Sequence, residues 1–311
     1  MSKPLIRRLG DPIKYNPSLY STFSSHFTVL RPSLSELRRD EFLTALRENR
    51  FGSFHALIRP EELASAGAGF DWVDTQYLAE KRTPTDLWML GILYCNGAAA
   101  SSESVADMTL FLILASLRNL AWTLNPAGHS LGIIGMGQIG CTIAKKVYAA
   151  FGMRILYHDI VRKSEELERS VDAMFFHSLE DMLAESDCVV VATPFAGKAL
   201  LTAELFARFK RGSRFVNIAR GSLVDEEALL GALENGILVG VGMDVHADEA
   251  NVHPRLASHP KVMMMSHNAG GTVDTHIRFE RLAMENILAF SKEGRALTPV
   301  NAHLVKSKSV L

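Results

Sequence analysis

LGIIGMGQIGCTIAKKVYAAF, residues 131–151, is the stretch on which the fold turns. An apolar strand, Leu131–Ile134, runs into the G-x-G-x-x-G turn Gly135-Met-Gly137-Gln138-Ile139-Gly140, and an amphipathic helix follows at once. In that helix Ile139, Ile143 and Val147 recur every four residues, with Ala144, Tyr148 and Phe151 one step around, so one face is apolar. Strand, glycine turn and helix in this order start a βαβ unit that holds a dinucleotide pyrophosphate. Gly135 permits the turn, Gly137 lets the phosphates approach the backbone, and Gly140 lets helix and strand pack closely. The helix N-terminus adds N–H donors and partial positive charge. Asp159 ends the next strand, 19 residues after Gly140. A carboxylate there accepts a hydrogen bond from a ribose 2′-hydroxyl and repels a 2′-phosphate. NAD is the expected cofactor and NADP the less favoured one, with Arg162 and Lys163 read as surface charge.

Outward from this unit, short apolar runs alternate with helical stretches, the pattern of a doubly wound parallel α/β sheet of Rossmann type. Six strands are expected, at 131–134, 154–158, 188–192, 214–218, 239–243 and 262–265. Ser178 with Asp181, and Thr202 with Glu204, mark helix starts. Asp225–Asn235 closes at Gly236, and a helix over 272–292 carries Phe279, Leu282, Ala283, Ile287 and Phe290 on one stripe before Gly294. The first 100 residues are less regular. Strands are expected at 26–30 and 54–59, with a helix opened by Ser33 and Glu36 in capping-box spacing. The small residues of 64–69 read as a tight loop, and 101–120 as a long apolar helix. The expected division is a smaller substrate domain, 1–103 plus 290–311, and a cofactor domain, 104–289.

Composition narrows the class. Apolar residues make up 48% and charged residues 22%, and 33 basic against 34 acidic residues leave a net charge of −1. No global pull toward nucleic acid or an anionic membrane follows. The longest strongly apolar run, 110–117, is too short to span a bilayer. The start MSKPLIRRLGDP lacks the apolar region of a secretory signal. The three cysteines, Cys95, Cys141 and Cys188, form no metal-ligand pattern and read as reduced thiols. A cytoplasmic protein without metal is expected.

Three ionisable residues stand just past successive strands: Arg220, Glu249 and His267. Ligands of open α/β sheets bind at that edge. Histidine exchanges a proton near neutrality, a carboxylate beside it stabilises the imidazolium, and arginine offers a planar fork for a carboxylate. Beside a nicotinamide, the set suits hydride transfer to a 2-oxo acid.

NIARGSLVDEEAL (217–229), GMDVHADE (242–249), HNAGG (267–271), Thr193-Pro194 and AGAGFDWVD (66–74) resemble the D-isomer-specific 2-hydroxyacid dehydrogenases. ASAGAGFDWVD (64–74) and HNAGGTVDTH (267–276) are most similar to fungal D-mandelate dehydrogenase-like members. The resemblance implies a flavodoxin-like substrate domain, here shortened, a cleft that closes over the substrate, and a homodimer, for which the helix 101–120 is a candidate contact. It implies that Arg220 binds the substrate carboxylate and keto oxygen, and that His267, paired with Glu249, is the proton donor. Backbone amides near Ala68 and Gly69 would hold the carboxylate. Gly135, Gly137, Gln138, Ile139, Gly140, Asp159, Thr193, Pro194, Ala219, Asp244 and His267 would line the cofactor, Asp244 near the nicotinamide amide. The chain departs from the family at 61–65, 82–90 and 125–130, and with Ala250 and Ser266 where prolines are common. The expected activity is reduction of 2-oxo acids to D-2-hydroxy acids. Glyoxylate or hydroxypyruvate reduction is the alternative substrate class. An NAD-binding pseudoenzyme or a corepressor-like interaction protein is the alternative of another kind.

Overall fold

The computed structural model describes residues 3–8, 13–31, 56–58, 76, 89–90, 93–118, 124–194, 197–304 and 306–307. Two compact units emerge, Met1–Ala100 with Val273–Leu311, and Ser101–Thr272.

The first unit holds β1 (Leu5–Arg8), α1 (Pro17–His26), β2 (Thr28–Leu30), β3 (Ala56–Ile58) and β4 (Met89–Leu90). Its three-stranded sheet is parallel, in the order β2-β1-β3. Neither β1 nor α1 is legible from pattern. LIRR offers two apolar residues, and α1 is serine-rich, which favours caps and turns over helix interiors. The expected strand at 26–30 accordingly shortens, because His26 ends α1. The strand expected at 54–59 is described at 56–58. The expected helix opened by Ser33 and the loop 64–69 lie outside the described residues, as do the departures at 61–65 and most of 82–90.

The helix expected over 272–292 is Val273–Glu293, and it belongs to this first unit, so the boundary falls at 273 rather than 290. The Glu280 carboxylate explains it. It accepts hydrogen bonds from the backbone N–H of Lys14 (2.7 Å), Tyr15 (2.9 Å) and Asn16 (3.1 Å), and from Asn16 Nδ2 (3.1 Å). These are donors that the segment leading into α1 would otherwise leave unmet. The stripe is also more polar than expected. Thr275, Glu280, Met284 and Asn286 are buried, whereas Phe290 is exposed. Asn286 earns burial through four bonds, to Leu282 O, Thr298 Oγ1 and the N–H groups of Leu297 and Thr298. Glu280→Gln turns two donors toward each other and should lower the unit's stability by about 2 kcal/mol. A shift in the urea midpoint of a first-unit probe such as Tyr20 would measure it; an unmoved midpoint would show the bonds to be exchanged for water at no cost.

The second unit takes up most of α2 (Ala98–Leu117), then β5 (Ser130–Ile134), α3 (Gln138–Phe151), β6 (Arg154–His158), α4 (Glu165–Ser170), β7 (Ala173–Phe175), α5 (Leu179–Glu185), β8 (Cys188–Val191), α6 (Ala203–Phe206), β9 (Ser213–Asn217), α7 (Glu226–Glu234), β10 (Leu238–Met243), α8 (Pro254–Ala257) and β11 (Val262–Met264). Seven strands lie parallel in the order β11-β10-β9-β8-β5-β6-β7. Each of the six expected strands is present within one or two residues. The seventh, β7, is a three-residue edge strand with Met174 exposed, too short to announce itself.

Successive strand residues face opposite sides, so Ile133 and Val190 join one buried cluster with Ile143, Val147, Leu112 and Leu117, while Ile134 and Val191 join the other with Phe215, Leu229 and Met243. Burial on both faces is why these strands read as continuous apolar runs. Helix α2, read as 101–120, begins at Ala98. At 20 residues it is long and apolar enough to cross a membrane by length and composition. That exceeds the eight-residue run on which the sequence judgement rested, but Val105, Leu112, Ile113 and Leu117 are buried in the first of these clusters. Ser178 and Asp225 cap α5 and α7 through Asp181 and Ala228 N–H. Thr202 instead gives its hydroxyl to Glu204.

Asp187, just before β8, ties the lower rim of the sheet together. It accepts bonds from Ser130 N (2.9 Å), Ser130 Oγ (3.1 Å) and Lys210 Nζ (2.5 Å). Burial alone would raise its carboxyl; Lys210 and the two Ser130 donors outweigh that and bring it to about 2. A carboxyl held below its unfolded value of roughly 4 contributes stability above that pH and loses it as pH falls toward 2. Wild type should therefore lose about 2 kcal/mol from this group between pH 5 and pH 2. Asp187→Asn should be less stable at neutral pH but flatter in that window, as urea titrations at several pH values would show.

Candidate active site

The sheet order reverses direction at β5, whose neighbours are β8 and β6, and the glycine loop leaves β5 at that point. A doubly wound sheet opens its ligand crevice there. Gly135 has φ 93°, and a Cβ on it would stand 2.9 Å from Ala192 O and Thr193 N, so the loop lies directly on the Thr193-Pro194 turn that follows β8. A Cβ at Gly140 would be 2.2 Å from Gly135 O, which closes helix on strand. At Gly137, the N-cap of the 14-residue α3, a Cβ would meet nothing within 4 Å. That open cradle above a helix N-terminus, with exposed Gln138 beside it, is what a pyrophosphate occupies. Ile139 turns inward and packs on the core. The chain thus fits a dinucleotide.

Asp159 stands at the end of β6 and reaches back to this loop, accepting from Met136 N at 2.8 Å. Lys163 Nζ lies 3.1 Å from the same oxygen. Burial would raise the Asp159 carboxyl, but Lys163, Met136 N–H and Val161 N–H together hold it below its ordinary value. Arg162 and Lys163 are therefore more than surface charge, since each is committed to an ion pair, Arg162 with Glu168.

At the carboxyl end of β9, Asn217 latches the turn that carries Arg220. Its Oδ1 accepts from Ala219 N (3.1 Å) and its Nδ2 donates to Arg220 O (2.9 Å). Arg220 Nη1 donates to Ala219 O at 2.8 Å. The next residue must be glycine. A Cβ on Gly221 would lie 1.8 Å from His246 C and 2.0 Å from His246 O, because this turn presses on the loop after β10. Sequence reasoning passed over both Asn217 and Gly221; the N-x-x-R-G spacing was their only signal.

Glu249 sits on that β10 loop and His267 just after β11. His267 Nδ1 and Glu249 Oε1 are 2.6 Å apart, the histidine mostly buried and the glutamate half exposed. An ionised carboxylate only accepts, so Nδ1 carries the hydrogen and Nε2 is the atom left to exchange a proton with a ligand. His267 holds φ 53°, in the left-handed region that non-glycine residues seldom occupy. Asp244 maintains the turn. Its backbone O accepts from His267 N (2.7 Å), and its buried carboxylate accepts from Asn268 N (3.0 Å) and Ala269 N (3.2 Å). Burial pushes this carboxyl up, against the pull of those two N–H groups.

The structure thus brings Glu249, His267 and Asp244 into contact and sets the Arg220 turn against the β10 loop. Ala68 and Gly69 lie outside the described residues. Among the described residues no group of three or more histidine, cysteine or acidic side chains could hold a metal. No disulfide links the cysteines, and burial pushes the Cys188 thiol up to about 12.

Residues 114–269 match the family described as D-isomer specific 2-hydroxyacid dehydrogenase, NAD binding domain. A dehydrogenase, efuE, of Hormonema carpetanum is 34% identical over 77% of this chain, a match that spans 62% of that protein's length. The 4-methyl-2-oxopentanoate reductase A of Aspergillus oryzae is 32% identical over 75% of this chain and 73% of its own. The holo form of Rhodotorula graminis D-mandelate dehydrogenase superposes with a TM-score of 0.86 at 32% identity, covering 99% of this chain and 100% of that one. With the glycine cradle at the switch point and the paired histidine and glutamate at the same sheet edge, these likenesses place the chain in the D-isomer-specific 2-hydroxyacid dehydrogenase family.

Proposed function

We propose that this chain reduces 2-oxo acids to D-2-hydroxy acids with NADH, with His267 as the proton donor. The observation that carries the reading is the 2.6 Å pairing of His267 with Glu249 at the sheet edge where the glycine cradle opens. Bound nicotinamide supplies or accepts the hydride. Arg220 holds the substrate carboxylate in a planar fork. Glu249 fixes the ring through Nδ1–H and stabilises the imidazolium, and His267 Nε2 delivers its proton to the ketone oxygen. In the reverse direction the same nitrogen removes the hydroxyl proton. Asp244 maintains the turn that presents the ring, and Ala219, Thr193 and Pro194 border the cofactor.

A preference for NAD is supported by Asp159, whose carboxylate repels a 2′-phosphate. An apolar, branched or aromatic 2-oxo acid is favoured over glyoxylate, supported by the likeness to the Aspergillus 4-methyl-2-oxopentanoate reductase and the Rhodotorula D-mandelate dehydrogenase. A homodimer through α2 and α3 is supported by Phe111 and Tyr148, both more than two-fifths exposed on these neighbouring helices. The near-neutral charge is consistent with a cytoplasmic enzyme that binds neither nucleic acid nor membrane. Loss of NADH absorbance with benzoylformate, 4-methyl-2-oxopentanoate, hydroxypyruvate and glyoxylate in parallel tests the reading. Turnover ranked toward the larger acids supports it, and fastest turnover of glyoxylate reassigns the substrate. NADH binding without turnover of any of them returns the chain to a cofactor-binding protein.

A further inference from the structure

Arg162 lies three residues beyond Asp159, on the loop from which an arginine can accommodate a 2′-phosphate in place of a ribose hydroxyl. Its side chain is more than half exposed, yet its guanidinium is committed elsewhere. Nε and Nη2 donate to the two carboxylate oxygens of Glu168, at 2.9 and 2.8 Å, in a bidentate pair. Glu168 is buried on α4 and also accepts from the hydroxyl of Tyr157 at 2.6 Å. That hydroxyl in turn accepts from Lys163 N at 2.9 Å, so the clamp is tied to the loop it restrains. The guanidinium lies 5.7 Å above the ring of Phe175, on the outermost strand β7. Asp159 contacts Met136 on the opposite side, toward β5. Acid and arginine therefore leave the end of β6 toward opposite neighbours. The second cation of the loop, Lys163, is paired with Asp159.

We propose that Glu168 and Tyr157 are specificity-determining positioning residues, which favour NAD by holding the Arg162 guanidinium over β7, away from the adenosine ribose. The proposal rests on the reading of Asp159 as the ribose ligand. An acid at Asp159 repels a 2′-phosphate, and the clamp withholds the cation that would compensate. Arg162 and Tyr157 hold the Glu168 carboxyl down to about 2, so the clamp stays ionised at any working pH.

Equilibrium binding of NADH and NADPH, followed by nucleotide fluorescence without substrate, tests this. Glu168→Gln weakens the fork and should raise NADPH affinity about tenfold while NADH affinity holds. Arg162→Ala in that background should abolish the gain. Arg162→Ala alone should leave NADPH affinity within about twofold, because the wild-type guanidinium is out of reach. Tyr157→Phe, which keeps the ion pair but removes the hydroxyl's bonds to Glu168 and Lys163 N–H, should give a smaller gain of about threefold, and decides the matter if Glu168→Gln fails to fold. No gain in NADPH affinity, or a large loss in Arg162→Ala alone, would overturn the clamp. Asp159→Ala tests the parent reading separately. An unchanged NADH-to-NADPH ratio there removes Asp159 from the site and this proposal with it. A changed ratio there, with no gain from Glu168→Gln, overturns the clamp alone.

Discussion

His267→Ala should lower turnover of a 2-oxo acid by about a thousandfold and leave NADH affinity nearly unchanged. The loss follows from the role proposed for the ring: with Nδ1 paired to Glu249, Nε2 is the nitrogen left to protonate the ketone. Without it the alkoxide formed by hydride addition must take a proton from water. In the proposed reading the pyrophosphate and adenosine ribose are held by the glycine loop and Asp159, at β5 and β6, four and five strands from β11, so most of the binding should survive. The left-handed backbone at residue 267 complicates the alanine variant, because alanine occupies that region less readily than histidine does. His267→Asn is the control, since asparagine tolerates that region better than most residues and carries no comparable base. Equal loss in both variants assigns the effect to the proton. Activity near wild type in either would remove His267 from the chemistry.

Gly221→Ala should be nearly as damaging by a different route. The added carbon would stand 1.8 Å from a backbone carbon and 2.0 Å from a backbone oxygen of residue 246, and neither atom can step aside without moving the β10 loop. Overpacking of this kind costs about 3 kcal/mol. For a unit of this size that corresponds to a melting point lower by about 6–12 °C. The same displacement separates the Arg220 turn from the loop that bears Glu249, so kcat/KM should fall by about a hundredfold even below the melting transition. Calorimetry and steady-state kinetics on one preparation would check both. A variant that melts and turns over like wild type would mean that the two loops relax apart freely.

Much of the second unit could be read from the chain alone, because its signals are local. Runs such as CVVV and LVGVGM are buried on both faces, and a strand buried on both faces must be apolar throughout. The glycine loop was legible for a related reason: Gly140 is demanded by backbone five residues away and Gly135 by the next strand over, while Gly137 leaves the cradle between them open. Arg220, Glu249 and His267 could be placed at one sheet edge once the strands were known, since a parallel sheet delivers every strand's carboxyl end to the same side. The first unit was harder. Strand β1 and helix α1 carry little apolar periodicity, and the buried face of the 273–293 helix includes Glu280 and Asn286, whose partners lie more than 260 residues and about 11 residues away respectively.

The alternation of strand and helix, the phosphate-binding turn and the order of the three ionisable residues are written locally, because each depends on neighbours along the chain. It took the fold to show that Lys163 pairs with Asp159, that Glu168 holds Arg162, that Asp244 supports the His267 turn and that residue 221 must be glycine. Those depend on distances between segments that meet only after folding, and an ion pair or a backbone clash leaves no periodicity for a sequence to display.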